Sequence, residues 1–98
     1  MIEYIREQLT QEELLCQLAE EASELAQAAL KLRRVYDGSN PTPVKRHEAY
    51  DHFKEEIADI MLVLNVLDFD ISLHEQSKTM NFKLKRWADR LKAARQED

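Results

Sequence analysis

Glycine and proline are almost absent from this sequence, which has one glycine and two prolines in 98 residues. A single glycine, Gly38, excludes the glycine-rich phosphate loops of the common nucleotide-binding folds and a succession of tight hairpin turns. A single cysteine, Cys16, excludes an intrachain disulfide. The residues after Met1 do not have the pattern of a signal peptide, so none is expected. The single cysteine and the lack of a signal-peptide pattern favour a reduced, cytoplasmic setting.

The sequence also lacks a long apolar run and an excess of basic residues. No apolar stretch approaches the roughly 20 residues that a membrane span needs, so no membrane partner is expected. Fourteen basic residues stand against 19 acidic ones, giving a net charge of −5, so the basic surface of a DNA- or RNA-binding protein is not expected. With 44% apolar and 34% charged residues, the composition is that of a folded globular protein.

Helix-forming residues are abundant, whereas valine, isoleucine and threonine together number only twelve. Two capping boxes, Thr10 with Glu13 and Ser72 with Glu75, predict the starts of two helices. Between these helices, the segment 37–43 contains the only glycine and both prolines and predicts the one long break. The predicted helices are a short one near residues 2–5 and long ones over 10–35, 44–69 and from 73 onward.

The apolar residues of the long helices recur at helical spacing and predict an all-α bundle of three long helices, forming one domain over residues 1–98. The segment 60–64 is apolar nearly all round, which is more than one partner helix covers, so we expect a homo-oligomer, dimer or tetramer. The residues predicted to face the core are Leu14, Leu18, Leu25, Ala29, Leu32, Phe53, Ile57, Ile60, Leu64, Leu67, Leu73, Met80, Leu84, Trp87 and Leu91.

The first two long helices contain a near-repeat at an offset of 35 residues. The stretch EEASEL at 20–25 aligns with EEIADI at 55–60. At about 100° per residue, two acids of each stretch lie at the edge of the apolar stripe. If the two helices pack antiparallel through these stripes, four carboxylates meet at one seam: Glu21, Glu24, Glu56 and Asp59.

Such a seam predicts a metal site. Two like charges at about 4 Å repel by roughly 4 kcal/mol at an effective dielectric constant of 20, so four carboxylates would destabilise a small bundle unless a cation offset them. Oxygen ligands select Mg²⁺ or Mn²⁺ over zinc. A di-iron carboxylate bundle is disfavoured because it needs Glu-x-x-His, and none of His47, His52 and His74 follows a glutamate at that spacing.

At these residues the sequence resembles the MazG-like, all-α nucleoside triphosphate pyrophosphohydrolases, whose signature is E-E-x-x-E, a spacer and E-x-x-D. The matching stretches are 20–24 and 56–59, and NFKLKR at 81–86 looks like the family's N-x-K-[FL]-x-x-R element. The resemblance covers roughly residues 10–92. The spacer of 31 residues between Glu24 and Glu56 is longer than the family's usual interval.

The resemblance implies a nucleotide substrate, hydrolysed between its α- and β-phosphates to a monophosphate and pyrophosphate. Mg²⁺, with Mn²⁺ as a substitute, would be held by the four seam carboxylates. A further carboxylate would orient or deprotonate the water, with Glu20 as the first candidate and Glu55 as the second. Basic and polar side chains would contact the phosphate tail in place of a glycine loop: Lys31, Asn81, Lys83 and Arg86.

A second hypothesis is a non-catalytic helical interaction module that dimerises and binds a partner on its acidic seam. The duplicated carboxylate motif distinguishes the two hypotheses, because an interaction module has no need of it. The residues expected to bind the metal and the phosphates do not indicate which nucleobase or sugar the substrate has.

Overall fold

The computed structural model describes residues 1–39 and 44–96, without the side chain of Leu73. Every regular element within these residues is an α-helix, so the predicted all-α class is confirmed. None of these helices is both long enough and apolar enough to cross a membrane. The helices are α1 (Ile2–Gln8), α2 (Gln11–Asp37), α3 (Arg46–Val66) and α4 (Leu73–Gln96).

The ends of α2 follow its sequence signals. Thr10 Oγ1 accepts a 3.0 Å bond from the Glu13 amide, and Glu13 Oε1 accepts a 3.1 Å bond from the Thr10 amide, so the predicted capping box is confirmed. The helix ends at Asp37, and Gly38 follows in the left-handed conformation with φ 75°. Glycine adopts this conformation without the strain that a Cβ introduces. Residues 40–43 of the predicted break lie outside the described residues.

Helix α3 is shorter than its predicted span of 44–69. It begins at Arg46 and ends at Val66, because Leu67 has non-helical backbone angles of φ −59° and ψ 129°. The apolar run continues past Val66, so its periodicity gave no sign of this end. At the start of α4, the Ser72 hydroxyl accepts a 3.3 Å bond from the Glu75 amide, as the second capping pair predicts.

The described chain divides into two compact units, Met1–Asp68 and Phe69–Asp98. In the first unit α2 packs along α3, and α1 packs on α3. Leu14, near the start of α2, belongs to one buried cluster with Val63 and Val66, at the end of α3. The two helices are therefore antiparallel, as the seam requires. The organisation of the whole chain as a single domain stays a prediction.

The contact seam between α2 and α3 is rotated relative to the predicted stripes. Ala28, Ala49 and Val63 are buried, whereas Ala29 and Leu64 are exposed. Small alanines at the seam allow the backbones to approach closely, so the larger apolar residues lie to one side. Of the predicted core of this unit, Leu14, Leu32 and Leu67 are buried, while the half-buried ones are Leu18, Leu25, Phe53, Ile57 and Ile60.

In the second unit, the predicted inward stripe of α4 is not buried. Met80, Leu84, Trp87 and Leu91 are all exposed, Trp87 at 59%. The prediction of a buried stripe is wrong for these four side chains in the single chain. The reason is that α4 is the only helix among the described residues of its unit, 69–96, so no second helix within them covers its apolar side.

Candidate metal centre

Four carboxylates from two helices meet on the α2–α3 seam. Glu21 and Glu24 lie one turn apart on α2, and Glu56 and Asp59 lie one turn apart on α3. One oxygen from each of the four side chains can be chosen so that all lie within 4.8 Å of one another. The cluster could therefore hold a metal ion, as the repeat predicted.

The four side chains differ in their exposure. Glu56 is only 7% exposed, Glu21 and Asp59 are half-buried, and Glu24 is exposed. Antiparallel packing places Glu56 at the centre of the seam, where small side chains such as Ala28 and Ala49 are also buried. The cluster thus has a buried side and a side that is open to solvent at Glu24.

Glu21 and Glu56 have matching environments. Gln17, one turn before Glu21, donates a 2.7 Å hydrogen bond from Nε2 to Oε1 of Glu21. His52, one turn before Glu56, has its Nε2 at 3.8 Å from Oε1 of Glu56. Gln17 and His52 are 35 residues apart, as are Glu21 and Glu56, so the sequence repeat extends to these partners.

The second oxygens of the same two carboxylates are buried without a hydrogen-bond partner. Both Glu21 Oε2 and Glu56 Oε2 have this property among the described residues. Buried polar atoms in proteins are nearly always paired, and an unpaired buried charge is costly. A cation bound between the two helices would provide the missing partner for both oxygens.

The donor set fits a hard divalent cation. All four donors are carboxylate oxygens, the ligand type preferred by Mg²⁺, Mn²⁺ and Ca²⁺. Two oxygens on opposite sides of one Mg²⁺ ion lie about 4.2 Å apart, since each binds at about 2.1 Å. The observed spread of up to 4.8 Å is close to this value, so small side-chain adjustments suffice to bind one ion.

A polar groove of about 480 Å³ adjoins the cluster on one side. Glu24 and Glu56 form part of its wall, and so do Lys31, Arg34 and His52. Lys31 lies seven residues, or about two helical turns, after Glu24, and the two side chains line this groove together. Among the ion pairs within residues 1–39 and 44–96, none involves Lys31 or Arg34.

A smaller groove of about 210 Å³ adjoins the cluster on its other side. Glu21, Asp59 and Gln17 contribute its polar atoms, and the remaining lining is apolar. Helix α1 forms part of this lining, so the short N-terminal helix reaches the site. The apolar lining residues are Ile5, Leu9, Leu14, Leu62, Val63 and Val66.

The two candidates for the water-activating carboxylate lie outside the cluster. Glu20 and Glu55 are both exposed, and neither belongs to the group of four. Glu20 lines a different surface groove, together with Glu13 and Cys16. Their catalytic roles stay predictions.

The other predicted phosphate contacts lie on α4, in the second unit. Asn81 and Lys83 line one surface groove of about 310 Å³ with Trp87, although an ideal helix separates them by about 200°. Arg86 has its guanidinium carbon 5.7 Å from the centre of the Phe82 ring. All three side chains are exposed, and their contact with a phosphate tail stays a prediction.

Three residues of the site were not identified from the sequence: Gln17, His52 and Arg34. The first two carried a signal, because extending the 35-residue repeat by one turn aligns them as partners of Glu21 and Glu56. Arg34 lies ten residues after Glu24 and has no counterpart in the repeat. Its place at the site is known only because its side chain lines the polar groove in the structure.

In comparisons with known proteins, the chain matches no protein-family model, no curated protein and no solved structure.

Proposed function

We propose that this protein is a Mg²⁺-dependent nucleotide pyrophosphohydrolase that cleaves a (deoxy)nucleoside triphosphate between the α- and β-phosphates. The observation that carries the proposal is the group of four carboxylates, one oxygen of each lying within 4.8 Å of the others. Two members of this group, Glu21 and Glu56, also have a buried oxygen without a hydrogen-bond partner. The resemblance of the two acidic stretches to the MazG-like signature supports the assignment to nucleotide chemistry.

In this proposal Glu21, Glu24, Glu56 and Asp59 hold the cation. A bound Mg²⁺ ion neutralises charge on the phosphates and so favours attack by water on a phosphoanhydride. Glu20 or Glu55 orients the attacking water and accepts its proton. Lys31 contacts the phosphates from the groove beside Glu24, and Asn81, Lys83 and Arg86 are the proposed contacts from α4.

The proposal is tested by measuring pyrophosphate release from a panel of nucleoside and deoxynucleoside triphosphates. We expect release from at least one of them with Mg²⁺ or Mn²⁺, and none after chelation by EDTA. The panel also identifies the base and sugar that the site accepts. Absence of pyrophosphate release from every member of the panel, with metal present, would contradict the proposal.

Two neighbouring glutamates provide a matched pair of variants for the metal assignment. Glu56→Gln should abolish turnover and weaken Mg²⁺ binding by at least about tenfold, because it removes a buried charged ligand while keeping the side-chain shape. Glu55→Gln should leave the Mg²⁺ affinity within about twofold of wild type, since the exposed Glu55 lies outside the cluster. Unchanged turnover in Glu56→Gln would show that the site is wrongly assigned.

A non-catalytic interaction module is the second candidate, and the exposed apolar side chains of α4 favour it. Met80 is 67% exposed and Trp87 59%, which in a water-soluble helix is typical of a surface that binds another protein. Mg²⁺ distinguishes the two candidates. It should raise the melting temperature of a metal-dependent enzyme, because a ligand of the native state adds RT ln(1 + [L]/Kd) to stability, and it should barely affect an interaction module.

A further inference from the structure

The polar groove beside the metal centre contains two basic side chains without an ion-pair partner among the described residues. Lys31 and Arg34 lie one turn apart on α2 and line the groove together with Glu24 and Glu56. Positive charges next to an acidic cluster commonly form salt bridges with it. Here neither side chain lies within the 4.0 Å of an ion pair from a carboxylate of residues 1–39 or 44–96, so within these residues both are available to an anion.

The two grooves on either side of the carboxylate cluster differ in the polarity of their lining. On the side of Glu24 and Glu56 the lining is mainly polar and includes two basic side chains, and on the side of Glu21 and Asp59 it is mainly apolar. A substrate with a highly charged end and a less charged end therefore meets different surroundings on the two sides of the cluster. Glu56 lines the polar groove and has a buried oxygen, Oε2, without a hydrogen-bond partner, so a cation bound by Glu56 would lie beside the groove.

We infer that the polar groove is a pyrophosphate subsite, in which Lys31 and Arg34 bind the terminal phosphates of the substrate. The inference deepens the proposed function and rests on it for the identity of the substrate. Arg34 binds two phosphate oxygens at once through its planar guanidinium, and Lys31 contributes a point charge. His52, which lines the same groove and has its Nε2 at 3.8 Å from Glu56 Oε1, is a further donor to phosphate in this arrangement.

This arrangement determines the orientation of the bound substrate. The β- and γ-phosphates occupy the polar groove, and the nucleoside end of the substrate points toward the side of Glu21 and Asp59. The scissile bond then lies at the carboxylate cluster. The product that stays in the polar groove after cleavage is pyrophosphate. Inorganic pyrophosphate should therefore bind in this groove without an attached nucleoside.

The test is calorimetric titration of inorganic pyrophosphate into the full chain in the presence of Mg²⁺. The double variant Lys31→Ala, Arg34→Ala should bind pyrophosphate at least about tenfold more weakly, because two charge-assisted contacts are lost. Its matched control is Arg33→Ala, Lys54→Ala, which removes the same charge from side chains that do not line the groove. The control should stay within about twofold of wild type, since the charges of exposed side chains outside the groove are screened by salt.

Titration of Mg²⁺ alone provides the second measurement. Removing two positive charges beside the cluster should leave Mg²⁺ affinity unchanged or raise it, whereas a misfolded variant would lose both affinities. The inference is overturned if the groove variant and the control bind pyrophosphate equally, or if the groove variant loses Mg²⁺ binding as well. A third outcome is pyrophosphate binding that depends on Lys31 and Arg34 without hydrolysis of any nucleotide. It would support the pyrophosphate subsite and refute only the proposed function.

Discussion

Gln17 Nε2 donates a 2.7 Å hydrogen bond to Oε1 of Glu21. This bond fixes one oxygen of the carboxylate and leaves the other, Oε2, buried and without a partner. His52 has the equivalent position next to Glu56 on α3. The two helices thus present their central carboxylates in the same way, each with a polar side chain one turn earlier.

Replacing Gln17 with leucine tests whether this bond orients a metal ligand. We expect Gln17→Leu to lower Mg²⁺ affinity by about tenfold, since groups that position metal ligands typically contribute this much. Calorimetric titration of Mg²⁺ measures the effect. Gln76→Leu, at an exposed glutamine of α4 that lines neither groove, is the control and should bind Mg²⁺ as wild type does. Equal affinities in the two variants would mean that Gln17 does not position Glu21.

Removing a carboxylate from the cluster should stabilise the metal-free protein. Like charges at 4.8 Å repel by roughly 3 kcal/mol per pair at an effective dielectric constant of 20. We therefore expect Glu21→Ala to raise the free energy of unfolding in EDTA by about 1 kcal/mol, after the loss of its bond from Gln17. Urea denaturation followed by circular dichroism measures it.

The same variant should lose the stabilisation by Mg²⁺, which for the wild type is about 2.7 kcal/mol at a hundredfold excess over Kd. Lower stability of Glu21→Ala in EDTA would show instead that Glu21 makes bonds that the fold requires.

Arg6 ties α1 to the end of α3. Its Nε donates to the carbonyl oxygen of Val66 and its Nη2 to that of Asn65, each across 2.9 Å. Hydrogen bonds from a charged group contribute about 1.5–3 kcal/mol each at most, and the helix C-terminus attracts a positive charge. We expect Arg6→Gln to lower the free energy of unfolding by about 1–2 kcal/mol, measured by urea denaturation, with the exposed Arg33→Gln as the control. An unchanged stability would show that α1 is held by its apolar contacts alone.

Asp37, at the end of α2, should titrate below the usual range of an aspartate. A hydrogen bond from the Ser39 hydroxyl is the main cause that lowers the pKa of Asp37, and a 3.0 Å bond from the Ser39 amide adds to it. Because this pKa is lower in the folded state, the bonds stabilise the fold above the ordinary pKa, and this contribution is lost as the pH falls through the lowered value. Ser39→Ala should raise the pKa of Asp37 toward its ordinary value, as followed by carboxyl-carbon NMR.

Asp89 serves as the internal control in that titration. Lys85 lowers the pKa of Asp89 through a hydrogen bond and charge attraction, and Ser39 takes no part in this. The pKa of Asp89 should therefore be the same in Ser39→Ala as in the wild type. A pKa of Asp37 that does not change in this variant would contradict the assigned cause.

The all-α class and the start of α2 were predictable from the sequence, because each depends on local spacing. Thr10 and Glu13 determine a helix start by themselves. The 35-residue repeat relates Glu21 to Glu56, and the four carboxylates of the seam followed from it once antiparallel packing was assumed. The rotation of the α2–α3 seam toward Ala28 and Ala49 was not predictable in this way. Periodicity marks an apolar face about 100° wide, and the part of it that becomes buried depends on which small residues allow two backbones to approach.

Self-association is the remaining prediction for the apolar residues that α3 exposes. Leu64 is 46% exposed and lies on the same side of α3 as the half-buried Ile57 and Ile60. An exposed apolar surface of this kind is typical of an interface. We expect the wild-type chain to sediment as a dimer or tetramer at micromolar concentration, and Leu64→Glu to raise the dissociation constant at least about tenfold, since it places a charge at a contact that excludes water. Leu30→Glu introduces the same charge at an exposed site on α2 and should leave the association unchanged. A wild-type chain that sediments as a monomer at that concentration would refute the prediction.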